Sequence, residues 1–239
     1  MTGPLGVSLG IAAPASRDEA VPATPIALFD LDRTLLPGSS LEALGRALAA
    51  EGLVSRRRLA RAAAEQIRFT RRGASDATVA RLCREGLGVI AGIERQRLVP
   101  LVHRVGRELA TLPVPATRAL LDRHLDAGHF CVILSASPQE LVEVICARLG
   151  LHRAVGTCAE VVDGRFTGAL DGAFCYGPGK LARLRQALGS VDLAQAWAYA
   201  DSISDLPLLA ACAHPVAVNP DRALRKVAKA NTWPIFDVS

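Results

Sequence analysis

Four apolar residues, Ile26 to Phe29, run straight into Asp30, and Asp32 follows two positions later. A short run of this kind reads as a buried strand, and a strand built only for packing has no reason to end on two carboxylates. "PGSS" at 37–40 marks a turn. From Leu41 to about Leu112, apolar positions recur at helical spacing in "LEALGRALAAEGL", "RRRLARAAAEQIRFTRR", "DATVARLCREGLGVI" and "ERQRLVPLVHRVGREL", with breaks near Gly73 and Gly92. The pattern predicts a block of about four helices and no strand.

The texture then alternates. "PVPATRALLDRHLDAG" predicts a helix ending at Gly128, "HFCVILSAS" a strand, and "PQELVEVICARLGL" a helix. "AVGTCAEVVDGRFTG" reads as strand, with Asp163-Gly164 at a hairpin turn. A helix starts behind "GPGK", "AWAYADSISD" is a strand ending in aspartates, and helix and strand alternate to the end. This predicts an α/β fold: a doubly wound parallel sheet with helices on both faces and a helical cap inserted after the first strand. The predicted boundaries are a flexible leader over 1–24, a catalytic core over 25–40 and 113–239, and the cap over 41–112.

In such sheets, ligands sit outside the carboxyl ends of the strands. "FDLDRT", "VILSAS" and "AYADSISD" are the three strands whose carboxyl ends turn polar. Together they bring Asp30, Asp32, Ser135, Ser137, Asp201 and Asp205 to one crevice, and the helix behind "GPGK" adds Lys180. Four carboxylates so close require either protons or a cation among them. Oxygen-only ligands with no nearby histidine favour Mg²⁺ over Zn²⁺. A metal, a lysine, a hydroxyl and backbone N–H groups suit a phosphate group. Asp30 is then placed to attack phosphorus. Asp32 points the same way from extended backbone, placed to give and take the proton.

Composition narrows this picture. Half of the 239 residues are apolar, enough for a sizeable core, and only 4% are aromatic. The net charge of +5 reads as a solvated surface, with an anionic small substrate or weak contact with an anionic surface as sharper readings. No basic run is interleaved with aromatics, which argues against a nucleic-acid partner. The six cysteines show no CxxC pair or metal-ligand spacing and suit a reduced, cytoplasmic protein. No apolar run approaches a membrane span.

"DLDRT", a serine after "VIL", the lysine of "GPGK" and "ADSISD" occur in the order found in the haloacid dehalogenase (HAD) superfamily. The chain resembles most the branch that includes the phosphoserine phosphatases. The resemblance covers residues 25 to 239 and implies a Mg²⁺-dependent phosphomonoesterase working through an aspartyl-phosphate. It implies Asp30 as nucleophile and metal ligand, and Asp32 as acid/base with its backbone carbonyl on the metal. Asp201 becomes a metal ligand, with Asp205 supporting the metal shell. Ser135 and Lys180 hold the phosphoryl group, with Thr34, Ala136 and Ser204 in the phosphate-binding set. Ser39 stands about where phosphoserine phosphatases carry the glutamate that reads the substrate amine. The fourth motif begins Ala-Asp, and Ser204 replaces a frequent asparagine.

Rival readings attach to particular residues. A lone DxD also occurs in glycosyltransferases, but that leaves Lys180 and the second aspartate pair unexplained. Ser137 before "PQEL" and Asp205 before "LPLLAAC" both fit helix N-caps. The five histidines read as structural or exposed, and Arg68 or Arg72 are candidates to reach the crevice from the cap. A phosphotransferase using the same intermediate and a non-catalytic phospholigand-binding protein stay open. So do phosphoserine, histidinol phosphate and lysophospholipid- or glycerol-type phosphates as substrates.

Overall fold

A computed structural model describes residues 24–61 and 76–238. The leader over residues 1–23, Arg68 and Arg72 lie outside the described residues. Six parallel strands make the central sheet: β1 (Ile26–Phe29), β2 (Phe130–Pro138), β3 (Arg153–Thr157), β6 (Trp197–Ala200), β7 (His214–Val218) and β8 (Ile235–Phe236), in the order β3-β2-β1-β6-β7-β8. The order reverses at β1, which therefore sits at the centre with β2 on one side and β6 on the other.

Alternation along β1 explains its uniform burial. Ala27 and Phe29 face one apolar layer, while Ile26 and Leu28 face the other. The first layer is closed by α1 (Ser40–Ala50), α3 (Arg95–Leu109), α4 (Pro115–Asp126) and α5 (Gln139–Leu149). The second is closed by α6 (Pro178–Leu188), α7 (Leu206–Ala211) and α8 (Arg222–Ala230). A strand walled by helices on both faces has to be apolar at every position, which is why "IALF" shows no polar alternation.

Residues between β1 and β2 supply α1, a helical stretch at 56–61, α2 (Asp76–Gly88), α3 and α4. The connection that leaves β1 meets the one that leads into α4 where the Val114 N–H donates to the Leu35 carbonyl at 2.8 Å. The two connections are thus laced side by side.

The segment 153–170 differs from its sequence reading. It divides at Cys158: β3 joins the parallel sheet, while β4 (Ala159–Val162) and β5 (Arg165–Leu170) form a separate antiparallel hairpin. Asp163 and Gly164 both take positive φ, 49° and 74°, as a two-residue hairpin turn demands. The hairpin also docks on the helical block. Gly92 N–H donates to the Phe166 carbonyl at 2.8 Å, Phe166 N–H to the Ile93 carbonyl at 3.0 Å, and Arg95 N–H to the Gly164 carbonyl at 2.8 Å. The stretch 92–95 at the start of α3 and this hairpin are therefore tied together by main-chain bonds.

Candidate active site

Register brings the polar strand ends level. Phe29 pairs with Ile133 of β2 and with Tyr199 of β6, so the residues just beyond fall at one rim. Asp30 N–H donates to the Tyr199 carbonyl at 2.9 Å, extending the ladder by one residue and fixing where its side chain emerges. Leu31 then turns the chain sharply, its carbonyl accepting from the N–H groups of Leu35 and Leu36 at 3.0 and 2.9 Å.

Lys180 stands at the centre of the charges. Its Nζ lies 2.7 Å from Asp30 Oδ1 and 2.8 Å from Asp205 Oδ1, with the lysine side chain 3% exposed. Thr34 donates from Oγ1 to Asp30 Oδ2 at 3.3 Å. Gly179 is what lets the lysine approach: a Cβ there would fall 1.9 Å from the Phe174 carbonyl oxygen, so only glycine fits at the start of α6.

Asp30, Asp201 and Asp205 each present a carboxylate oxygen, all within 4.8 Å of one another. Burial pushes the Asp201 carboxyl well up, and the neighbouring Asp30 charge adds to it. Burial raises Asp205 as well, against the opposing pull of Lys180. For Lys180 burial works against the charge, but Asp205 and Asp30 outweigh it and hold the ammonium on. One lysine among three crowded carboxylates leaves net negative charge in a poorly solvated place. The donor set is oxygen only, hard and anionic, which fits a Mg²⁺ ion rather than a softer metal. Among the described residues this is where such an ion fits.

Asp32 stands slightly apart, at the amino end of α1. Its Oδ1 accepts from Ser40 N–H at 3.0 Å and its Oδ2 from Ser39 Oγ at 3.5 Å. Burial still lifts its carboxyl to about 6, against the lowering effect of the Ser40 bonds. Ser40 Oγ also pairs with Ser137 Oγ at 2.5 Å, and Ser137 N–H donates to Ser135 Oγ at 3.2 Å. A polar chain thus runs from Asp32 through Ser40 and Ser137 to Ser135, joining the start of α1 to the end of β2.

Two capping expectations need correction. Pro138, not Ser137, is the N-cap of α5, and no side chain caps it, because the Ser137 hydroxyl is engaged by Ser40. Asp205 does stand at the N-cap position of α7, but it gives the helix no side-chain bond, since its carboxylate is turned to Lys180. Two residues expected in the phosphate-binding set make other bonds here: Ser204 Oγ donates to Ser202 Oγ at 3.1 Å, and Ala136 offers its carbonyl to Thr157 Oγ1 at 2.8 Å.

Sequence reasoning missed Ser40 and Asp221. Asp221 Oδ2 accepts from Ile203 N–H at 2.9 Å and from Ser202 Oγ at 3.2 Å, and its N–H donates to the Asp201 carbonyl at 2.8 Å. It braces the loop that carries Asp201 and Asp205. The signal was present: Pro220-Asp221 ahead of "RALRKV" is a helix-start pattern, and Asp221 does cap α8 through Leu224 N–H at 2.8 Å.

The family model of haloacid dehalogenase-like hydrolases matches residues 27–210, most of the chain. The chain belongs to this family. Its relatives include the phosphoserine phosphatase SerB1 of Mycobacterium tuberculosis (strain ATCC 25618 / H37Rv), 37% identical over 95% of this chain and 75% of that one. The histidinol-phosphatase of Neisseria meningitidis serogroup C (strain 8013) is 31% identical over 89% of this chain and 98% of its own length. Among solved structures, a protein of unknown function from Bordetella pertussis Tohama I matches with a TM-score of 0.76 at 30% identity, covering 90% of this chain and 99% of that one. Family membership and these phosphatase relatives place the chain among the HAD phosphomonoesterases. Among the described residues no helix is long and apolar enough to cross a membrane.

Proposed function

We propose that this HAD hydrolase cleaves a small phosphomonoester through a phosphorylated Asp30, with Mg²⁺ as its cofactor. The observation that carries the reading is the buried group of Asp30, Asp201 and Asp205 around Lys180 at the carboxyl ends of β1 and β6. Asp30, Asp201 and the backbone carbonyl of Asp32 would hold the ion, with Asp205 behind them. When bound, Mg²⁺ neutralises the phosphoryl oxygens and lets an anion approach an anionic nucleophile.

The chain's own groups supply the rest. Lys180 holds Asp30 in one orientation and presents positive charge to the transferring phosphoryl group. The Ser135 hydroxyl and the N–H groups of the loop after β1 grip its oxygens. Asp32, lifted to about 6, is protonated in part of the population near neutrality and gives its proton to the leaving oxygen. The resulting carboxylate takes a proton from the water that opens the aspartyl-phosphate. The insertion helices and the β4–β5 hairpin would cap the crevice and exclude bulk water during both steps.

Phosphate release from a panel of phosphate esters, with Mg²⁺ or with chelator, tests this reading. Turnover with Mg²⁺ and its loss on chelation is the expected result; a protein inert towards the whole panel with Mg²⁺ present sinks it.

Stability carries a linked signature. Burial raises the Asp201 and Asp205 carboxyls, so in the fold they favour the folded state while protonated, and that contribution is lost as pH rises through their raised values. Mg²⁺ competes for the deprotonated groups. Its thermal shift is therefore expected to be small near pH ~5 and to grow towards pH ~7.5. At an ion concentration of about a hundred times Kd it reaches about 2.7 kcal/mol. Calorimetric melts with and without Mg²⁺ across this window check it, and a pH-independent shift contradicts it.

A further inference from the structure

Arg33 lies between the acid/base candidate and Thr34, yet nothing in the mechanism above uses it. Its backbone is left-handed, with φ at 62°, a conformation that glycine takes freely and a long side chain does not. Its neighbours Leu31, Thr34, Leu35 and Leu36 are essentially fully buried. The Arg33 side chain is instead 67% exposed, and its Nη1 stands 3.8 Å from Asp201 Oδ2, an ion pair too long for a hydrogen bond. The left-handed turn thus throws a guanidinium out of the core and over the mouth of the crevice. Lys180, by contrast, is sunk between Asp30 and Asp205. Its charge is committed inside, while the exposed Arg33 fork has no hydrogen bond among the described residues and can face whatever enters.

We infer that Arg33 is a specificity residue that binds a second anionic group, a carboxylate or a further phosphate, carried by the leaving group of the substrate. This rests on the reading of the site as a phosphatase. The inner charges serve the phosphoryl group that every ester shares. A cation at the rim meets the part that differs between esters. A planar fork suits carboxylate and phosphate oxygens in a paired contact. A tail bearing only positive charge, as in histidinol phosphate, is repelled there.

The test compares Arg33→Gly with the wild type. Glycine accepts this backbone conformation, so the variant is expected to fold. KM and kcat are measured for phosphoglycolate, ethane-1,2-diol bisphosphate and p-nitrophenyl phosphate, whose tail is neutral. The ratio of KM for an anionic-tailed ester to KM for p-nitrophenyl phosphate is expected to rise at least about tenfold, or about 1.4 kcal/mol. The corresponding kcat ratio is expected to change far less. Arg33→Lys should recover part of the loss. Comparison of the two anionic esters tells a carboxylate from a phosphate site. An unchanged KM ratio overturns the assignment, as does an equal loss on all three esters, which would mean that Arg33 serves the shared phosphoryl group. If the wild type hydrolyses none of these three, the wider ester panel decides the hydrolase reading separately. Calorimetric affinities of Asp30→Asn for phosphoglycolate against methyl phosphate, with and without Arg33→Gly, then decide Arg33 by the same ratio.

Discussion

Asp30→Asn is expected to lower kcat by about ten-thousand-fold or more while leaving the protein folded. The amide keeps the shape of the carboxylate but has no electron pair able to open phosphorus, so the loss falls on the chemical step rather than on binding. Folding survives for an electrostatic reason. Lys180 keeps Asp205 as a partner at 2.8 Å. The Asp30 charge also stands among the causes that raise both Asp201 and Asp205. Removing it therefore relieves repulsion while it weakens one ion pair. Phosphate release and thermal melting on the same preparation separate the two effects. An active Asp30→Asn would remove the nucleophile assigned here, and an unfolded one would show that the Lys180 contact outweighs the repulsion.

Lys180→Met has the opposite balance and is expected to be the more damaging to stability. Methionine fills the channel but leaves Asp30 and Asp205 buried without their cation, beside Asp201. Breaking a buried pair from one side costs about 3–5 kcal/mol, because the remaining charge stays unpaired. For a domain of this size that is a drop of about 10 °C in Tm. Turnover is expected to vanish along with it. Added Mg²⁺ should restore part of the Tm, since it supplies positive charge to the same three carboxylates, and none of the activity. Exposed pairs such as Arg104 with Glu51 offer the contrast, since solvent screens them and their loss should barely move the melt. A Lys180→Met protein as stable as the wild type in chelator would mean that the cluster is already neutralised by protons.

The sheet and the charged rim were legible because their signals are local. "IALF" followed by Asp-Leu-Asp, "VIL" followed by serine and "AYA" followed by aspartate each announce a buried strand with a polar end. Parallel pairing does the rest by setting Phe29 beside both Ile133 and Tyr199. What stayed hidden depends on partners remote in sequence. The docking of Phe166 and Gly164 on Gly92, Ile93 and Arg95 uses main-chain groups, which leave no mark on residue type. Ser137 has the position of an N-cap, and only the approach of Ser40, 97 residues away, takes its hydroxyl elsewhere. Asp205 looks like a cap for the same reason and is diverted by Lys180. The left-handed backbone of Arg33 was equally unreadable, because arginine is not a residue that signals it.

The most direct measurement is of the covalent step itself. The protein is mixed with Mg²⁺ and an ester that it hydrolyses, quenched in acid during turnover, digested and analysed by mass spectrometry. A single phosphoryl group on the carboxylate of Asp30, labile to hydroxylamine and missing from Asp30→Asn, is the result this mechanism requires. Turnover with no acyl-phosphate on the chain, or one borne by a different carboxylate, would contradict it.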